Sequence, residues 1–138
     1  LEFRRVLFRS MNGIKDWQGG AQTPYKKMGS IDGAAEAMVF IEESDPRGNN
    51  LGTWVINVMP APSWIDPFAI FHGETSTLAF ADGHADLHHW VVPTTIKAAR
   101  GAANGDDSIF GWSGGGVKNA DFQWVHQRYK HTKFKPLQ

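Results

Sequence analysis

The chain has 138 residues with 14 basic and 14 acidic side chains, 41% hydrophobic residues and no cysteine. That length suits one domain with a modest core, and an apolar fraction this high with a net charge near zero excludes a disordered chain. The lack of cysteine excludes disulfides, thiolate zinc sites and cysteine nucleophiles. Uncharged stretches are short and broken by proline and glycine, so we predict no transmembrane helix within this sequence.

Residues 1–10 (LEFRRVLFRS) differ in composition from the chain that follows. Three arginines interrupt the apolar residues, so the segment lacks the apolar run that a targeting peptide needs. In-frame translation of a widely used sequencing adapter gives this same peptide, and we therefore predict that the segment is adapter-derived and not native. Without its three Arg and one Glu, the other 128 residues carry a net charge of about −2. We expect them to begin inside a gene, so that an N-terminal signal or anchor is missing.

The first half of the natural chain predicts short strands separated by turns. Five segments carry the signals: a loop over residues 11–23, a helical turn at 32–36, a buried strand over 37–42, a turn at 44–50 and a strand over 52–59. Pro60 and Pro62 end the last of these, and residues 67–71 suit another short helical turn.

The second half predicts a hairpin followed by two short helices. Residues 75–81 and 84–91 are rich in β-formers and flank Asp82-Gly83, a pair that suits a two-residue type I′ turn. Helices are predicted over 95–103 and 121–129, with a glycine-rich loop between them. The fold class expected from these elements is α+β, built on a small antiparallel sheet.

A two-residue turn would place residues of the hairpin on defined faces. Ala81 would face His84, Ala79 would face Asp86 and Thr77 would face His88, because opposed residues share a sheet face. The opposite face would form the core, and it contains Leu78, Phe80, Ala85 and Leu87.

His84, Asp86 and His88 alternate along one strand and would project together. Two imidazoles and a carboxylate are suitable ligands for zinc or a similar metal. The alternative interpretation, which the sequence favours, is the polar face of a half-buried hairpin. No cofactor is expected on that interpretation, and zinc or calcium remains the alternative.

His72 and Asp82 are separated by the predicted first strand of the hairpin. At about 3.3 Å per residue they would lie some 25 Å or more apart. We therefore expect His72 to pack at the strand entrance and Asp82 with Gly83 to shape the turn, which argues against an enzyme.

Other acidic and aromatic residues suggest chemistry only weakly. Glu42 and Glu43 end the first strand on alternate faces, so we interpret them as edge-strand charges or calcium-side ligands, not as paired catalytic carboxylates. Asp106 and Asp107 could bind calcium in the glycine-rich loop, although loop carboxylates usually meet water. Five tryptophans suit core packing or, alternatively, a sugar platform: Trp54, Trp64, Trp90, Trp112 and Trp124. The acidic middle and basic tail form no basic stripe with stacking aromatics, so nucleic acid is not an expected partner.

The spacing from His72 to Asp82-Gly83, within HGETSTLAFADGHADLHHW, resembles the bacterial prepilin-type family named for its H-x(9)-D-G signature. Upstream, PYKKMGSIDGAAEAMVFIEES is similar to that family's K…I…P…fvFiDE segment, with Glu42-Glu43 at its acidic pair. Gly33-Ala34 replaces the usual Pro-Ser. Downstream, NADFQWVHQRY is similar to the family's terminal Asp-Leu-x-Trp segment, so the resemblance extends from Pro24 to Tyr129.

The resemblance implies a pilin-like head domain over residues 24–132, with a tail at 133–138, whose N-terminal anchor helix is missing. It implies a non-enzymatic pseudopilin of a type II secretion or type IV pilus-like system, in which His72, Asp82 and Gly83 are family-defining positions without a catalytic role. The partners would be other pilin-like subunits or secretion-system components. The parent protein would be anchored in the inner membrane with a periplasmic or extracellular head, whereas the fragment itself would be soluble. The alternatives are a metal-binding envelope hydrolase and a carbohydrate-binding module.

Overall fold

The computed structural model describes residues 7–10, 25, 27–46, 54–58, 60–106, 108, 114–130 and 136–137. The helices and strands along these residues are, in chain order, β1 (Leu7–Ser10), β2 (Met38–Glu43), β3 (Ile56–Asn57), β4 (Ser63–Trp64), β5 (Thr75–Phe80), β6 (Ala85–His89), α1 (Pro93–Ala103) and α2 (Ala120–Arg128). Two 3-10 turns, Met28–Ser30 and Ala34–Glu36, precede β2. The domain is α+β, which confirms the predicted fold class.

The main sheet is antiparallel throughout and has the strand order β1-β2-β5-β6. β3 and β4 form a separate ribbon, in which Ile56 lies opposite Trp64. β1 falls in the segment that the sequence assigns to an adapter. The rest of the described chain contributes the other three strands of the main sheet, with β2 next to β1 and β6 at the opposite edge.

The hairpin between β5 and β6 turns through three residues, not the predicted two. The backbone N–H of Phe80 donates to the His84 carbonyl, and that of Gly83 donates to the Phe80 carbonyl. Gly83 takes the left-handed conformation, with a φ of 96°, whereas Asp82 has a negative φ. A three-residue turn with glycine in the left-handed position is the usual alternative to the type I′ turn.

The extra turn residue shifts the register by one, so that Leu78 lies opposite Asp86 and Thr77 lies opposite Leu87. A shift of one residue moves every β6 side chain to the other face of the sheet. The face that carries buried Leu78, here called the inner sheet face, therefore also carries three β6 residues: His84, Asp86 and His88. The predicted placement of Ala85 and Leu87 in the core is wrong, since both residues are exposed, Leu87 by 62%.

The opposite face, here called the outer sheet face, carries Phe40, Thr77, Ala79, Ala85 and Leu87, and its polar end carries Glu42, Thr75 and His89. Phe40 lies opposite Ala79, which lies opposite Ala85 on β6, so a row of apolar residues crosses the three strands. The Phe40 side chain is 37% exposed.

Aromatic rings fill the core on the inner sheet face. The Phe68 ring stacks on Trp90 with centroids 4.1 Å apart, and Trp64 meets the edge of Phe122 from α2 at 4.9 Å. The Trp90 indole N–H donates to Ser76 Oγ on β5 over 2.8 Å, while Ser76 Oγ donates to the Ala69 carbonyl. Indole groups with a satisfied N–H combine a large buried area with fixed orientation.

Two polar residues connect the N-termini of the helices. Asn119 caps α2, since its Oδ1 accepts from the Phe122 N–H, and its amide Nδ2 donates to Thr95 Oγ1 on α1 over 3.0 Å. Asp121 Oδ2 accepts from the backbone N–H of Val92 over 2.9 Å and also from that of Val91. These bonds hold the chain between β6 and α1 against the first turn of α2.

Most predicted elements are confirmed, and the exceptions are short. The strand over 37–42, the hairpin and both helices form within two residues of their predicted bounds. Among the described residues of the predicted strand 52–59, only Ile56–Asn57 are in a strand, and its partner β4 was not predicted. Residues 67–71 are not helical. The predicted loop over 11–23 lies outside the described residues.

Replacing Asp121 should destabilise the domain. Asp121→Ala leaves the N–H groups of Val91 and Val92 without their acceptor, and we expect a loss of about 2–3 kcal/mol in the free energy of unfolding, measured by urea denaturation. Asp121→Asn keeps one oxygen acceptor and should lose less. Asp32→Ala, at an exposed position, is the matched control and should change stability by less than about 0.5 kcal/mol. Equal effects of Asp121→Ala and Asp32→Ala would contradict the role of these bonds.

Candidate functional site

The signature residues lie at the two ends of β5. His72 precedes the strand and Asp82-Gly83 follow it, so a strand of six residues, about 20 Å long, separates them. They therefore do not form one reaction centre. Each end instead has its own set of contacts.

At the entrance to β5, His72 contacts an acidic residue of the neighbouring strand. Its Nε2 lies 3.7 Å from Glu42 Oε1, and its carbonyl accepts from Thr75 Oγ1 over 2.6 Å. Glu42 Oε2 accepts from the backbone N–H of Thr77 over 2.9 Å. The Glu42 carboxylate thus accepts a hydrogen bond that a backbone carbonyl of β2 would otherwise accept, at the point where β2 and β5 separate. The His72 imidazole lies over this carboxylate on the solvent side.

This geometry corrects the interpretation of the acidic pair. Glu42 and Glu43 were expected to be edge-strand charges, but both are buried, and in the structure β2 lies between β1 and β5. The main-chain carbonyl of Glu42 also accepts from the Ala69 N–H. The sequence signal that could have identified this contact is the joint occurrence of the acidic pair and His72 in the family resemblance.

At the far end of β5, Asp82 and His84 form a local pair. Asp82 Oδ1 lies 2.6 Å from His84 Nδ1 and also accepts from the His84 backbone N–H over 3.2 Å. Hydrogen bonds from His84 lower the pKa of the exposed Asp82 carboxyl. The His84 ring stacks on Phe80 with centroids 4.4 Å apart. These contacts support the turn, and the left-handed φ of Gly83 completes it.

The three candidate metal ligands have different environments. His84 is held by Asp82 and Phe80, and Asp86 Oδ1 accepts from the Leu87 N–H. Among the residues that the structure describes, no group of three or more His, Asp or Glu side chains is arranged to hold a metal ion.

His88, the third candidate, packs against two tryptophan rings. Its ring stacks on Trp124 of α2 with centroids 3.7 Å apart and meets the edge of Trp90 at 4.5 Å. The Arg128 guanidinium carbon lies 3.9 Å from the centre of the same Trp124 ring. His88 Nε2 is buried without a hydrogen-bond partner. Burial lowers the pKa of His88 to about 4; the Asp121 carboxylate opposes this shift and Arg128 adds to it.

The remaining candidate residues that the structure describes are buried in the core or hydrogen-bonded within a loop. Trp54, Trp64 and Trp90 are buried in the core, so they cannot form a sugar platform, and Trp112 lies outside the described residues. Asp106 Oδ1 accepts from the Ser108 N–H, which lowers its carboxyl pKa, while Asp107 is also outside the described residues.

A cavity beside Trp64 has a volume of about 10 Å³. That is room for at most one water molecule. It therefore cannot bind a substrate.

Comparison of the chain with protein-family models, curated proteins and solved structures finds no match. The prepilin-type resemblance therefore depends on the residues quoted above. Over the described part of the chain, neither α-helix has the length and apolar character needed to span a bilayer.

The stability of the domain should depend on pH through His88. In the folded domain the pKa of His88 is about 4, below the ordinary value of 6.5. Above pH 6.5 the imidazole is neutral in both the folded and the unfolded chain, so the domain keeps its full free energy of unfolding. The free energy of unfolding should fall progressively as the pH falls from 6.5 towards 4, because in that range the proton binds to His88 mainly in the unfolded chain.

His88→Phe keeps an aromatic ring against Trp124 and removes the titrating group. The unfolding free energy of this variant, measured by urea denaturation across that pH range, should fall less steeply than that of the unmodified chain. His89→Phe, at the exposed neighbouring position, is the control and should keep the original slope. Parallel curves for all three proteins would show that His88 does not carry the dependence.

Proposed function

We propose that the chain is the head domain of a pseudopilin-like envelope protein, from a type II secretion or type IV pilus-like system, that acts through assembly or surface contacts. The observation that carries the proposal is the outer sheet face. One side of the sheet is filled by aromatic core residues, whereas the other presents Phe40 and Leu87 to solvent. Contiguous exposed apolar surface on a small domain is typical of an interaction site.

The dimensions of the outer sheet face suit a helix. Three strands about 4.8 Å apart give a surface roughly 10 Å wide, which is close to the diameter of an α-helix with its side chains. Ala79 on the central strand β5 and Ala85 on β6 are small side chains that lie between the larger Phe40 and Leu87. An apolar N-terminal helix of the parent protein, or a neighbouring subunit, is the occupant that the proposal requires.

The signature contacts also support a non-catalytic role. His72 covers the Glu42 carboxylate at one end of β5, and Asp82 with Gly83 forms the turn at the other end. Both sets of contacts fix the strand that lies at the centre of the natural sheet. The signature would then preserve the surface that assembles and would not itself react.

Association through the outer sheet face should depend on Leu87. We expect the purified chain to self-associate and to bind a hydrophobic dye such as ANS. Leu87→Asp should weaken both by several-fold without lowering the melting temperature, because the leucine is mostly exposed. Light scattering and dye fluorescence measure the two effects.

Val117→Asp is the matched control, since Val117 is 45% exposed but precedes α2 and lies outside the outer sheet face. It should leave association and dye binding unchanged. Equal effects of the two substitutions, or no effect of either, would exclude the outer sheet face as the surface through which the chain associates.

The genomic sequence upstream of Met11 tests the class of protein directly. The proposal expects a basic leader followed by an apolar helix of about 20 residues, the length that crosses a bilayer. A longer gene product without such a helix would exclude the pseudopilin assignment.

A further inference from the structure

We propose that the Asp86 side chain protects the exposed edge of β6 and keeps this edge from pairing with a strand of another chain. The protection consists of one hydrogen bond, in which Asp86 Oδ1 accepts from the backbone N–H of Leu87 over 2.8 Å. The proposal concerns the edge of the sheet, so it is independent of the function proposed for the outer sheet face.

β6 is an edge strand of the main sheet. Over the described residues it pairs with β5 alone, since the strand order is β1-β2-β5-β6. Four of its five residues are exposed, and the other, His88, is half-buried. An edge strand of this kind presents a row of backbone N–H and C=O groups with which an extended segment can pair.

The hydrogen bonds of the hairpin show which N–H groups of β6 point away from β5. At the turn the Phe80 N–H donates to the His84 carbonyl, and at the other end of the hairpin the Trp90 N–H donates to the Glu74 carbonyl. Residues that bond to the neighbouring strand alternate along an antiparallel strand with residues that do not. The even-numbered residues therefore bond to β5. The N–H groups that point to the edge are those of four odd-numbered residues: Ala85, Leu87, His89 and Val91.

Carboxylate oxygens occupy two of these four donors. Asp86 binds the Leu87 N–H, and Asp121 of α2 accepts from the Val91 N–H over 3.1 Å. An added antiparallel strand would place a carbonyl oxygen on these donors at every second residue. It would therefore have to displace each carboxylate before it could pair. Asp121 follows the strand, so Asp86 is the residue that protects the edge within β6 itself.

Asp86 has the type of side chain that protects edge strands in other proteins. Such strands commonly carry a lysine, a proline, a bulge or a charged side chain that points inward. The sequence of β6, ADLHH, contains neither lysine nor proline, and its pairing with β5 has no shift in register. Asp86 is a charged residue on the inner sheet face. Its loss would leave an exposed leucine beside an open backbone donor.

Hydrogen exchange at Leu87 tests the bond itself. Asp86→Ala removes the acceptor, whereas Asp86→Asn removes the same negative charge but keeps a side-chain oxygen that accepts from the N–H. We expect the protection factor of the Leu87 amide, measured by NMR, to fall by about tenfold in Asp86→Ala and by less than about twofold in Asp86→Asn. Equal protection factors in the two variants would overturn the proposal.

Association of the full chain tests the consequence of the bond. We expect Asp86→Ala to self-associate several-fold faster than Asp86→Asn, with thioflavin T fluorescence as the measure of extended β-pairing and light scattering as the measure of size. Both variants lose one negative charge and keep Leu87, so their difference reports on the open donor. An Asp86→Ala chain that loses protection at Leu87 but associates no faster than Asp86→Asn would also overturn the proposal.

Removing the donor should reverse the effect of Asp86→Ala. Leu87→Pro combined with Asp86→Ala lacks the outward N–H, and an edge strand tolerates proline where the N–H makes no bond to its neighbour. Leu87→Ala combined with Asp86→Ala keeps the N–H and lacks the same leucine. We expect the folded alanine chain to associate several-fold faster than the folded proline chain. Equal rates would overturn the edge protection and leave the proposed function standing, because that function depends on the leucine side chain, which both chains lack.

Discussion

The turn between β5 and β6 determines which face of the sheet every β6 side chain occupies. Its three residues end at Gly83, whose left-handed backbone lets Phe80 and His84 close the hairpin. With a two-residue turn, Leu87 would enter the core and His88 would face solvent on the other side. In the observed register His88 instead stacks on Trp124, and the outer sheet face gains its apolar surface. The outer sheet face, on which the proposed function depends, therefore results from one additional turn residue.

Glu42 of the acidic pair and the signature residue His72 stabilise the opposite end of the same sheet. Glu42 accepts from the Thr77 N–H where the two strands separate, and His72 covers the carboxylate. A buried carboxylate needs such partners, because an unpaired charge in the interior is strongly unfavourable. Glu42 and His72 thus have a structural explanation in the geometry of the two strands.

The inner face of the main sheet is committed to the core, whereas the outer sheet face presents Phe40 and Leu87 to solvent. Phe68, Trp90 and Phe122 fill that core, and Asn119 and Asp121 fix the helices around it. The proposed function assigns contacts with other proteins to that outer sheet face. Its described cavity beside Trp64 is too small for a substrate.

The sequence by itself determined the α+β class, the hairpin and both helices, because β-rich runs, Asp82-Gly83 and helix-start residues act over a few neighbouring positions. It did not determine the hairpin register, because Asp-Gly is compatible with turns of two or three residues, and the difference inverts a face. It also missed β4, whose partner strand is selected by packing of Trp64 and not by local propensity. The burial of Glu42 and the depressed pKa of His88 were decided only by the tertiary structure. Both result from contacts between residues more than 30 positions apart in the chain, which no local pattern encodes.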